Sequence, residues 1–173
     1  MTMTLIETIE VGSGGAASIE FTGIDTSSGD DLLLTISVRS DRAASDDIIG
    51  VRVNGVIASN RYYVRSLYGN SSSALSAGLS SDYALWGHYM PAQSATASTF
   101  GTMKFYFPNF ASNSNKSVSI DSVGENNSTA SAKFIGAGIV NNTAPISSLM
   151  VWSFNGANLS QYTTASLYKI TKA

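Results

Sequence analysis

The sequence contains no cysteine and only one histidine, His88. Without cysteine there are no disulfide bonds, no thiolate metal sites and no cysteine nucleophile, whatever the compartment. A zinc site lacks its usual ligands, and a Ser-His-Asp triad has to use His88 without the support of a Gly-x-Ser-x-Gly elbow. We therefore expect a fold held by packing and strand pairing alone, with no metal, no cofactor and no enzymatic activity.

Charged residues are also scarce. They make up 13% of the 173 residues, although hydrophobic residues reach an ordinary 43%, whereas soluble domains usually carry about 25% charged residues. The polar surface must consist largely of Ser, Thr, Asn and Gly, which suits contact between copies and provides little charge repulsion to keep them apart. The net charge of −2 argues against nucleic acid as a partner, since nucleic-acid binders usually show a basic patch.

Long hydrophobic runs are missing as well. Nowhere does the sequence reach the roughly 18 consecutive apolar residues that a membrane-spanning helix needs. The N-terminus, MTMTLIETIEVGSGG, has neither the positive region nor the apolar core of a signal peptide. We expect synthesis in the cytoplasm without signal-directed secretion, and no membrane partner.

The sequence does contain many short alternating runs. Residues 32–40 alternate apolar and polar side chains, residues 116–123 do so strictly, and Asn54-Gly55 is a strong turn signal. About ten such runs, separated by turn signals at intervals of roughly 8–12 residues, are typical of a sandwich or barrel rather than of βαβ units. The prediction is a single all-β domain over residues 1–173, an antiparallel β-sandwich of about ten strands.

Three segments carry more specific predictions. Residues 5–11 and 17–24 flank a Gly-rich turn and are expected to form a hairpin. Residues 70–81, NSSSALSAGLSS, show neither the strand nor the helix period, which predicts a long surface loop. The C-terminal residues 133–170 contain three apolar runs, and the last is expected to help close the sandwich begun by residues 5–11.

An aromatic patch is the best candidate for a functional surface. Tyr83, Trp86, His88 and Tyr89 gather around Gly87, and aromatic faces serve both sugar stacking and protein interfaces. The alternative is a structural one, in which these rings fill one end of the core. Both interpretations stay open from the sequence.

Other constellations point to local structure. The acidic clusters Asp30-Asp31 and Asp41, Asp46 and Asp47 lack the spacing of a calcium loop, and aspartate favours turns for its own hydrogen bonding. The glycines at 12–15 and 136–138 precede strand patterns, whereas a phosphate-binding loop precedes a helix. We expect tight turns or close packing there.

Several stretches resemble small virion-surface structural proteins of tailed bacteriophages. In the first half these stretches are IETIEVGSGGAASIEFTGI, DDLLLTISVRSDRA and IIGVRVNG. In the second half they are STFGTMKFYFPNF, KSVSIDSVGENNSTA and IGAGIVNNTAPISSLMVWSFNGANLSQYTTASLYKI. The resemblance covers most of the chain and is poorest over residues 66–97.

The resemblance implies a jelly-roll-like sandwich used as a capsid decoration, or cement, protein. Such a protein is located on the outer surface of the capsid in the virion, as a homotrimer that binds the major capsid protein and stabilises the shell. The alternative implied by the same resemblance is a tail-fibre or receptor-binding module that binds host surface polysaccharide. A third possibility, a polysaccharide-degrading enzyme, is disfavoured because no catalytic constellation stands out.

Overall fold

The computed structural model describes residues 1–27, 30–58, 60–70, 73–81, 83–125, 127 and 132–172, with the side chains of 70 and 79–81 excepted. Twelve strands form the described chain: β1 (Thr2–Glu10), β2 (Ser18–Phe21), β3 (Asp31–Val38), β4 (Asp46–Val53), β5 (Tyr62–Asn70), β6 (Ser73–Ser81), β7 (Leu85–Pro91), β8 (Gly101–Phe107), β9 (Lys116–Gly124), β10 (Ala132–Val140), β11 (Leu149–Ser153) and β12 (Thr164–Thr171). In this part of the chain no helix is long and apolar enough to span a membrane.

The strands form two antiparallel sheets. One sheet has eight strands in the order β1-β12-β3-β8-β9-β10-β5-β6, and the other has four in the order β2-β11-β4-β7. The predicted all-β, antiparallel sandwich is confirmed, with twelve strands instead of about ten. The jelly-roll order of connections stays a prediction.

Alternation along the strands places the core between the two sheets. In β3 the side chains of Leu32, Leu34, Ile36 and Val38 are at most 2% exposed, as the alternating sequence predicted. The strictly alternating β9 likewise buries every second residue. Each fully buried aliphatic or aromatic side chain stabilises the fold by about 1.5–3 kcal/mol, so these inward rows determine which face of each strand is inside.

Turn chemistry was also predicted correctly at Asn54-Gly55. Both residues have positive φ angles, 52° and 62°, in the left-handed region that Asn and Gly tolerate best. The Asn54 side chain adds a second role, because its Oδ1 accepts hydrogen bonds from the backbone N–H groups of Ser147 and Ser148 at 2.9 and 3.1 Å. This turn therefore ties the end of β4 to the segment before β11.

The predicted hairpin of residues 5–11 and 17–24 is wrong. β1 pairs with β12, whereas β2 pairs with β11 in the other sheet. The chain changes sheets through the glycine-rich turn, where Gly15 has a φ of 70° and Ala16 forms a bridge with Leu159. The last strand does lie beside the first, as expected of a strand that closes the sandwich.

The predicted surface loop of residues 70–81 is also wrong. β6 occupies Ser73–Ser81 and pairs with β5 from Asn70↔Ser73 to Tyr62↔Ser81. Its residues 73–76 are all exposed, so neither face of this end of the strand meets the core. A strand without a buried face has no reason to alternate apolar and polar residues, and the period is therefore absent from its sequence.

Candidate functional site

Three of the predicted site residues, Trp86, His88 and Tyr89, lie in β7, at the edge of the four-stranded sheet. Trp86 is only 4% exposed. Its ring centroid lies 4.5 Å from that of His88 and 5.2 Å from that of Phe134 in β10. Trp86 therefore belongs to the core, where it joins the edge of the smaller sheet to the larger one.

A β-bulge in β7 sets the direction of His88 and Tyr89. Asp47 pairs with Met90 and Ile49 with Gly87, so two residues of β7 lie opposite the single residue Ile48. Bulges re-aim side chains and often occur at sheet edges. Here the bulge includes Tyr89, whose φ is 64°.

The half-buried His88 stacks on the ring of Tyr68, with centroids 6.4 Å apart and an interplanar angle of 11°. Burial lowers the pKa of His88 below its usual value, and the nearby charge of Asp46 opposes this effect only in part. The imidazole is therefore held as a neutral aromatic ring at neutral pH.

Tyr83 lies elsewhere. It is 52% exposed and packs edge-to-face against Phe154, with ring centroids 6.2 Å apart. The structure thus brings Trp86, His88 and Tyr89 together and places Tyr83 with a different set of residues on the outer face of the smaller sheet.

That second set was missed by the sequence interpretation. Four side chains line one concave surface, which we call the aromatic platform: Arg52, Tyr83, Trp152 and Phe154. The guanidinium carbon of Arg52 lies 4.3 Å from the centre of the Trp152 ring, a cation–π distance. The signal was present in β11, where Leu149, Val151 and Ser153 point inward and leave Trp152 on the outer face.

A third surface covers the outer side of the larger sheet. Leu67 and Ile135 are 66% and 62% exposed, and Tyr63 and Ile139 are 38% and 42% exposed. The register pairs Leu67 with Ile135 and Tyr63 with Ile139, and the exposed Arg65 and Ala137 lie between these two pairs on the same face. We call this the outer apolar face. β10 carries apolar residues on both faces, which is typical of a strand covered on both sides.

The edge strand beside this face differs from the edge strand at the other end of the same sheet. β6 reads SALSAGLSS, with no charge and no proline, and it pairs with β5 without a register shift. The opposite edge strand, β1, carries Glu7 and Glu10 and has a register shift between Leu5 and Glu7. Charges and bulges keep an edge strand from pairing with another chain, and β6 has neither the charges nor the register shift that β1 carries.

One aspartate of each acidic cluster, Asp47 and Asp31, connects separate segments of the chain. Buried Asp47 accepts hydrogen bonds from Ser153 Oγ and Asn155 Nδ2, both at 2.7 Å. Asp31 accepts from Tyr106 Oη at 2.5 Å and pairs with Lys172 Nζ at 2.7 Å. Within the described ranges, no three His, Cys, Asp or Glu side chains gather in a way that could hold a metal ion.

The fold and these surfaces define the class as an all-β protein of two antiparallel sheets, with aromatic and apolar residues on its outer faces. No family model matches the chain, and no curated protein matches it either.

Proposed function

We propose that the protein is a non-enzymatic structural protein of a tailed-bacteriophage particle, a decoration protein that binds the outer surface of the major capsid shell as a homotrimer and stabilises it. The observation that carries the proposal is the outer apolar face, which a single chain leaves uncovered. The sequence resemblance to virion-surface proteins points in the same direction.

The outer apolar face exposes large apolar side chains to solvent. Contiguous apolar patches are uncommon on the surfaces of single soluble chains and mark interaction sites. Covering one large aliphatic side chain contributes about 1.5–3 kcal/mol, so covering the two pairs formed by Tyr63, Leu67, Ile135 and Ile139 favours association. The surrounding Ser- and Thr-rich surface suits wet, hydrogen-bonded contacts.

The uncharged edge of β6 adds backbone hydrogen-bonding groups next to the same face. Assembly with a neighbouring copy covers an edge of this kind. On a shell that repeats the contact many times, avidity compensates for modest single contacts. The proposal therefore assigns the β5-β6-β10 region to contacts with copies and with the capsid protein.

Cryo-electron microscopy of the intact particle tests the location. The expected result is density for this protein on the outside of the capsid, in groups of three. Density confined to the tail would overturn the capsid role.

A double variant tests the contact surface. Leu67→Glu with Ile135→Glu places charges on two exposed positions, so the fold is expected to survive while the trimer is lost in sedimentation measurements. Thr102→Glu is the matched control, because Thr102 is exposed on the same sheet in β8, two strands away from β10. An unchanged trimer in the double variant would remove the outer apolar face from the proposal.

A second candidate function is favoured by a separate observation, the aromatic platform on the other sheet. A tail-fibre or receptor-binding module that binds host surface polysaccharide needs exposed aromatic rings for stacking. Density at the tail tip, together with saccharide binding, is the result that would select this candidate.

A further inference from the structure

We propose that the aromatic platform binds an acidic saccharide, with a pyranose ring packed in the angle between the perpendicular rings of Phe154 and Tyr83 and its carboxylate paired with Arg52. The site lies on the four-stranded sheet, away from the outer apolar face. It therefore goes beyond the capsid role, deepens the second candidate function, and holds wherever in the particle the protein is located.

The Trp152 ring of the platform lies over Gly50 in β4. Trp152 in β11 pairs with Gly50, and a Cβ added at Gly50 would lie 3.0 Å from Cη2 of the Trp152 ring. The ring therefore lies across the glycine, where a larger residue would push it away. This arrangement gives the smaller sheet a flat aromatic floor on its outer face.

Arg52 supplies the charge. Its guanidinium is placed over Trp152, and its Nε donates to the backbone carbonyl of Tyr83 at 3.3 Å. Across the described ranges, no carboxylate lies within salt-bridge distance of Arg52. Glu20 is two strands away on the same face, and its Oε1 accepts from Ser18 Oγ at 3.1 Å. Among the described residues, these contacts occupy Nε and one N–H of Nη1, since Nη1 lies 3.7 Å from Met150 Sδ, and the remaining N–H groups suit a carboxylate.

Phe154 and Tyr83 supply the stacking surface, and their exposed fractions are 37% and 52%. Asp47 holds the turn that carries Phe154 in place, because it accepts hydrogen bonds from the side chains of Ser153 and Asn155. Phe154 itself donates its backbone N–H to the Ile48 carbonyl at 2.8 Å. Binding surfaces held in place by a supporting set of hydrogen bonds lose little entropy when a ligand arrives.

The chemistry favours one class of ligand. Exposed aromatic rings offer a pyranose an apolar face for stacking, and the planar guanidinium matches a carboxylate in a bidentate geometry. A neutral sugar can pack against the aromatic rings but cannot pair with the charge of Arg52, whereas a uronic or sialic acid can do both. The recognised unit is therefore a carboxylate-bearing pyranose, as found in acidic surface polysaccharides.

The test measures binding by calorimetry with three probes: oligogalacturonate, alginate oligosaccharide and sialyllactose. We expect at least one probe to bind, and its methyl ester, which keeps the ring and loses the charge, to bind about tenfold or more weakly. Arg52→Gln and Phe154→Ala are expected to weaken binding by a similar factor. Arg65→Gln is the matched control, since Arg65 is exposed on the other sheet, and it should leave binding unchanged.

Three results would overturn the proposal. These are no binding of any acidic probe by the wild-type protein, equal binding of the acid and its methyl ester, or wild-type affinity in the Arg52→Gln variant. The comparison of acid with ester uses only the wild-type protein, so it decides the question even if a variant fails to fold. None of these results bears on the capsid location or the trimer, which are measured separately.

Discussion

His88 illustrates how packing sets the chemistry of a single residue. The imidazole lies against the rings of Tyr68, Trp86 and Phe134, so protonation would place a charge in a poorly solvated site. Burial accordingly lowers the pKa of His88 below the usual value of about 6.5. The same residue would titrate normally in the unfolded chain.

This difference predicts a pH-dependent stability. Below about pH 6.5 the unfolded state binds a proton that the folded state resists, so the free energy of unfolding falls as the pH decreases towards the folded-state pKa. Urea unfolding between about pH 7.5 and 5 should show this fall in the wild-type protein, and His88→Gln should flatten it.

Asp31→Asn is the control for this measurement, because it should leave the change of stability between about pH 7.5 and 5 as it is in the wild-type protein. Burial acts to raise the pKa of Asp31, but hydrogen bonds from Lys172 and Tyr106 outweigh it, so the pKa lies below the usual value. The stability that Asp31 contributes is present above about pH 4 and is lost only at more acidic pH. An equal slope in the wild-type and His88→Gln proteins above pH 5 would show that another group causes the effect.

At the scale of elements, the bulge of β7 depends on a close approach between two strands. A Cβ added at Gly124, the last residue of β9, would lie 1.9 Å from the Tyr89 carbonyl oxygen. Nothing in the local sequence marks this glycine, because the constraint comes from a residue in another strand. Gly124 therefore belongs to the architecture of the candidate site although it lies outside the aromatic patch.

Gly124→Ala is expected to destabilise the protein by about 1–3 kcal/mol, because the bulge must shift to accommodate the methyl group. Gly12→Ala is the matched control, since a Cβ at Gly12 meets no atom within 4 Å and should change stability by only about 0.5 kcal/mol. Urea midpoints of the two variants measure the difference. Equal midpoints would mean that β7 moves freely at Tyr89.

Strands such as β3 and β9 were predictable from alternation, whereas β6 was not. β3 and β9 alternate because only one of their faces meets the core, and their inward residues follow from the sequence. β6 has exposed residues on both sides, so its sequence carries no period. The partner of β2 could not be predicted, since a Gly-rich turn permits either a hairpin or a crossing to the other sheet.

The candidate site shows the same limit. The aromatic content of residues 83–89 was visible in the sequence, but whether a ring points inward depends on the bulge and on the position of β10. Tyr83 joins Phe154 through tertiary packing across a large sequence separation. Only the outward position of Trp152 could have been found from alternation in β11.

At the scale of the whole molecule, the two proposed contact surfaces differ in how far they depend on charged side chains. The ion pairs found among the described residues all involve Lys169 or Lys172, near the C-terminus. The outer apolar face consists of aliphatic and aromatic side chains, with Arg65 among them, next to an uncharged edge strand. The aromatic platform, in contrast, depends on the single charge of Arg52.

The two surfaces should therefore respond differently to salt. Raising sodium chloride from about 0.05 to 0.5 M shortens the Debye length roughly threefold and weakens exposed charge pairs, whereas apolar association persists. Sedimentation should show a trimer whose dissociation constant changes less than about threefold, while the affinity for an acidic oligosaccharide falls several-fold. A trimer that dissociates at high salt would show that charged groups such as Arg65 and Lys133, rather than the pair of Leu67 and Ile135, hold the copies together.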